Sequence, residues 1–117
     1  MEITEKFKDD IAPFYWVDDD ESPSVCLEAG EYLQEMFESR ADEGFEGNGY
    51  DWESLAIVYL EENASDLEDI IEFDPEAGMF CAYSEDANAL QEFIIGFKNA
   101  CEDKNLIMEL FSRAEVN

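Results

Sequence analysis

The chain has 117 residues, 32 of them Asp or Glu against 6 Lys or Arg, giving a formal net charge of −26, and it contains no histidine. That length suits one domain with one core, and a composition of 46% hydrophobic and 14% aromatic residues supplies the apolar surface that acidic disordered tails lack. Six cations are too few for counterion release on phosphate backbones, so direct nucleic-acid binding and anionic membrane surfaces are disfavoured and a basic partner is the natural complement.

Residues Met1–Asp10 read as a polar lead-in to a single domain over 1–117, with no apolar stretch of the kind a secretion signal needs. No run approaches the ~18 apolar residues of a membrane span, and the expected location is cytoplasmic. Ile11–Val17 reads as an aromatic-rich strand that Pro13 places near an edge or a strand start. The turn residues Asp18–Pro23 lead to a second strand, Ser24–Ala29, which completes a hairpin. Tyr32, Leu33, Met36 and Phe37 then recur one helical turn apart, predicting a helix over Glu31–Arg40.

Ala41–Gly49 holds Gly44, Gly47 and Gly49 and reads as a loop. Asp51 is the expected N-cap of a helix reaching Asn63, with Trp52, Leu55, Ala56, Tyr59 and Leu60 on its apolar face. Asp69–Phe73 and Met79–Tyr83 read as a second hairpin around the turn Asp74–Gly78. Ser84 or Asp86 caps a long helix with a stripe of Leu90, Phe93, Ile94, Phe97 and Cys101. Asp103 caps a last helix carrying Leu106, Ile107, Leu110 and Phe111. The expected order is ββααββαα, an α+β fold with an antiparallel sheet and helices packed on one face. Val25-Cys26 before Leu33–Phe37 and Phe80-Cys81 before Leu90–Ile94 form a faint internal echo, which duplication or two chance amphipathic helices would equally produce.

Catalytic chemistry is scarce. Without histidine there is no Ser-His-Asp or Cys-His pair and no histidine metal ligand. Cys26, Cys81 and Cys101 lie 55 and 20 residues apart with no CxxC, and are expected to be buried reduced thiols. The GxxGxG spacing of Gly44, Gly47 and Gly49 is surrounded by Glu43, Glu46 and Asp51, which would repel a pyrophosphate. Calcium loops started at Asp18 or Asp74 put Pro23 or Met79 where the sharp-turn glycine belongs, leaving only loose, weak divalent-cation binding open. A hydrolase working through paired carboxylates is the least favoured reading. No enzyme, cofactor or resident metal is expected.

Tight association with an oppositely charged partner needs aromatic anchors inside a charged rim. Two segments offer that combination. Asp18, Asp19, Asp20 and Glu21 follow Tyr15 and Trp16, and Asp42, Glu43, Glu46 and Asp51 surround Phe45, Tyr50 and Trp52. Asp18–Glu21, Asp42, Glu43, Phe45, Glu46, Tyr50 and Asp51 are therefore the candidate partner-binding residues. Core packing is the competing reading for each aromatic, most strongly for Trp16 and Trp52.

At Gly47-Asn48-Gly49-Tyr50-Asp51-Trp52, and again from Glu72 to Phe80 with Asp74-Pro75-Glu76-Ala77-Gly78-Met79-Phe80, the sequence resembles the immunity protein 51 family of bacterial polymorphic toxin systems. The likeness runs from about Tyr15 to Ala114. It implies a small cytoplasmic antidote that binds its cognate toxin domain and protects the producing cell. Charge makes a basic toxin, with nucleases the favoured class, the expected partner. Mutual repulsion argues for a monomer. The alternative is a nucleic-acid mimic inhibiting DNA-binding proteins, which would need carboxylates spaced like phosphates along an elongated face.

Overall fold

Residues 4–116 are described by a computed structural model, and alternation along two short segments decides how they pack. In Ser24–Glu28 (β2) and Met79–Tyr83 (β4), Val25, Leu27, Phe80 and Ala82 fall on one face and are almost completely buried. Tyr15–Val17 (β1) pairs with β2, β2 with β4, and Glu72–Phe73 (β3) with β4, all antiparallel, giving the order β1-β2-β4-β3. The two hairpins thus sit back to back, with Cys26 directly opposite Cys81 at the seam. The echo between the halves accordingly meets across the central pair of strands, although Cys26 is buried and Cys81 only half-buried.

The helices are Glu5–Ile11 (α1), Gln34–Glu38 (α2), Gly49–Asn63 (α3), Ala87–Glu102 (α4) and Lys104–Ser112 (α5). The apolar stripes expected in α3 and α4 are buried throughout, and in α5 only Leu106 is half-exposed. Trp52 of α3 is wholly enclosed. Its ring lies 5.2 Å from Phe37, 5.8 Å from Phe14, 6.1 Å from Phe97, and stacks on Tyr32 at 5.9 Å. An aromatic centre of this kind gains packing energy beyond its buried area.

Several local expectations are corrected. The part of the lead-in from Thr4 onward leads into α1, with Thr4 as its N-cap and Ile11 as its buried residue, so the first strand begins only at Tyr15. The helix expected over Glu31–Arg40 shortens to α2, because the chain turns through Gly30–Leu33 with Leu33 left-handed at φ 56°. Asp69–Phe73 contributes only two strand residues, since a turn of 3-10 helix at Ser65–Leu67 and a following turn occupy the approach. The N-cap of α3 is Asn48, not Asp51; Asp51 is the reciprocal partner three residues on. Asp86 caps α4 while the Ser84 hydroxyl accepts the Asp86 N–H, and Asp103 caps α5 as expected.

Candidate partner-binding surface

The two acidic segments meet different fates. In the β1–β2 turn, Asp18, Asp19, Asp20 and Glu21 are all exposed. Trp16 Nε1 donates to Asp18 Oδ1 at 2.9 Å, anchoring the first carboxylate over a half-buried ring. Asp19 Oδ1 accepts the N–H groups of Glu21 and Ser22, and these bonds hold its carboxyl below the ordinary value. Glu85, beside the start of α4, lines the same shallow cleft as this turn.

In the second segment the aromatic and one carboxylate turn inward. Phe45 is 2% exposed, packed on Phe37 and Phe111, with the Arg40 guanidinium 4.5 Å from its ring centre. Asp51 is 3% exposed and its Oδ2 accepts the N–H groups of Glu46 at 2.7 Å, Gly47 at 2.8 Å and Asn48 at 3.4 Å. Neither side chain presents surface to a partner: one fills the core and the other closes the helix start. Asp42, Glu43, Glu46 and Tyr50 are exposed, but Glu43 is clamped by Arg40 through paired bonds of 2.8 Å, which hold its carboxyl below the ordinary value. Arg40 also donates to the Phe111 and Ala114 carbonyls, tying this loop to the end of α5.

The segments do not converge. Ser84 donates to Pro23 O at the turn end of the central strands, whereas Gly49 donates to Ala77 O at the other end. The length of β2, about 13 Å between its end Cα atoms, separates them. The face of the sheet turned away from the helices is made by Tyr15, Val17, Ser24, Cys26, Met79, Cys81 and Tyr83, with Glu28 and Glu72 at its ends. Tyr15 and Val17 are 40% and 42% exposed. The Tyr15 ring spans the strand between it and Met79, donating its hydroxyl to Met79 Sδ, while the Tyr83 hydroxyl donates to Glu72 Oε2. Burial pushes the Cys26 thiol up to about 12, with the Cys81 thiol and the Asp74 charge adding to the shift.

Gly49 explains why the two sequence motifs occur together. A Cβ at this position would stand 2.0 Å from the Glu76 carbonyl oxygen and 2.2 Å from that of Met79, so only glycine lets the start of α3 seat against the β3–β4 turn. The hexapeptide from Gly47 and the stretch from Asp74 to Phe80 are halves of one structural joint. A model of the family described as Immunity protein 51 matches residues 14–116. The chain belongs to that family. No curated protein and no solved structure matches it.

As a member of the Immunity protein 51 family, the chain carries the designation of an immunity protein. Among the described residues, no three Cys, Asp or Glu side chains are arranged to hold a metal ion, and no helix is long and apolar enough to cross a membrane. The sheet's outer face is the feature that reading for acidic runs passes over. Its signal was present in the strands: Tyr15 and Val17 alternate outward from β1, and Met79, Cys81 and Tyr83 from β4.

Proposed function

We propose that this chain binds a cationic toxin domain and holds it inactive, with a nuclease as the favoured target because enzymes acting on phosphate backbones present cationic surfaces. The distribution of charge carries the reading. Between residues 9 and 97 the only cation is Arg40, and Arg40 is engaged with Glu43 and the end of α5. The sheet and both hairpin turns therefore hold carboxylates with no basic residue among them. Over an accessible surface of 6557 Å², the net charge amounts to about one uncompensated negative charge per 250 Å².

Such a field steers an oppositely charged domain into contact, raising association rates toward ~10⁸–10⁹ M⁻¹s⁻¹. Inhibition then follows from covering the toxin's substrate channel or a site adjoining it, with no reaction performed by the antidote. On this reading the chain acts as a monomer in the cytoplasm of the producing cell. The nucleic-acid mimic draws no support from the sheet's outer face, whose middle is Tyr, Val, Cys and Met rather than a row of carboxylates. The test is to purify the toxin domain encoded beside this chain and titrate the chain against its activity. The expected result is loss of activity at one equivalent. Full activity at excess antidote and low salt overturns the reading.

A further inference from the structure

Resting on that reading, we propose that the open sheet face is where the toxin domain docks: Tyr15 and Tyr83 anchor an apolar centre, and carboxylates at its borders meet the partner's cations. The helices occupy the opposite face, against Val25, Leu27, Phe80 and Ala82. Among the described residues no helix covers the outer one. Cys26 is 6% exposed there because the Tyr15 ring crosses the strand that carries it. The exposed Tyr15 and the half-buried Tyr83, beside a valine and a methionine, form an aromatic centre of the kind that carries binding energy. Both tyrosyl hydroxyls are already tied, to Met79 and Glu72, so the rings lose little freedom on docking.

The border defines the occupant. Glu28 stands at one end of the face, Glu72 at the other, and Asp74, whose N–H pairs with the Cys81 carbonyl, projects on the same side as Cys81. No Lys or Arg occurs in any of the four strands. A second copy of the chain would bring these carboxylates against their own kind. The face itself spans roughly 200–300 Å², well short of the ~800 Å² per partner that a stable interface needs. The remaining area must come from beyond its ends, where the Asp18–Glu21 turn lies at one and the β3–β4 turn, with Asp74 and Glu76, at the other. A partner with an apolar or aromatic patch framed by Lys and Arg satisfies the centre and both ends at once.

A matched pair of substitutions tests the assignment. Val17→Lys on the sheet face and Ile95→Lys on α4 alter the charge equally at positions 42% and 43% exposed, so the general field changes alike in both. Calorimetric titration of the neighbour-encoded toxin domain is compared for the wild-type chain, these two variants, Tyr15→Ala and Met108→Lys on α5, with each variant's fold confirmed by its melting curve. The expected result is a loss of affinity of about tenfold or more for Val17→Lys and Tyr15→Ala, and of less than about threefold for Ile95→Lys. Wild-type binding with Val17→Lys no weaker than Ile95→Lys overturns the docking face and leaves the immunity reading standing. Loss on Met108→Lys instead moves the site to the cleft of about 640 Å³ between α2 and α5. Self-association of the chain that Val17→Lys abolishes makes the face a homodimer surface and also overturns the proposal. A wild-type chain that does not bind removes both claims together.

Discussion

The β1–β2 turn and the loop leading into α3 look alike as sequence: each is a run of acids beside aromatics with turn-forming residues. Folded, they are opposites. The loop directs Phe45 into the core and Asp51 onto three backbone N–H groups, and its Glu43 is clamped by Arg40. The turn leaves all four of its acids in solvent, and among the described residues their bonds go to Trp16 and to the turn's own backbone. The difference lies in what each segment must satisfy. A loop that starts a fifteen-residue helix has inward-facing donors to pair, while a hairpin turn at a sheet's end has few.

The largest effect separating the two falls at Asp51. Asp51→Ala removes the acceptor of three backbone N–H groups, that of Gly47 buried and those of Glu46 and Asn48 part-buried, and is expected to cost about 2–3 kcal/mol in chemical denaturation. A loss under about 0.5 kcal/mol would place the loop in the same class as the turn. The simultaneous change of Asp18, Asp19 and Asp20 to Asn should leave the melting temperature unchanged or higher and shrink its rise with added salt, because repulsion among solvated carboxylates is removed. A clear fall in melting temperature would mean the turn is structural after all.

The smallest effect is a titration. Glu43 and Asp19 both ionise below their ordinary values of 4.5 and 3.8, the first through the Arg40 side chain and the second through backbone N–H groups. Since both are depressed in the folded state, each contributes stability above its ordinary value and loses it as pH falls through the lower, folded value. NMR titration should find the Glu43 shift abolished by Arg40→Gln and weakened by salt, and the Asp19 shift preserved under both. Equal sensitivity of the two would erase the distinction between clamp and turn.

Periodicity made most of the helical layer legible, because Leu90, Phe93, Ile94, Phe97 and Cys101 repeat at helical spacing and are all buried. α1 was hidden for the converse reason: of its residues only Phe7 and Ile11 are apolar, four apart, which barely traces a stripe. The N-cap of α3 was misassigned because Asn48 and Asp51 are both good capping residues, and only the reciprocal bonds separate their roles. Phe45 could not be placed from sequence, since a loop phenylalanine becomes core only through Phe37, Phe111 and Arg40, which come from distant segments. The outer sheet face needed the register. Tyr15, Cys26 and Cys81 line up across three strands, and nothing in their sequence positions announces that.

The central claim is that the acidic coat exists to draw in a basic partner, and the rate of association measures that most directly. Stopped-flow mixing of the chain with the toxin domain proposed as its partner should be run as the screening length shortens from about 30 Å to about 10 Å, between roughly 0.01 and 0.1 M salt. The account predicts an on-rate that falls tenfold or more over that range. An on-rate indifferent to salt would contradict it, because a partner that ignores a net charge of −26 was not selected by it.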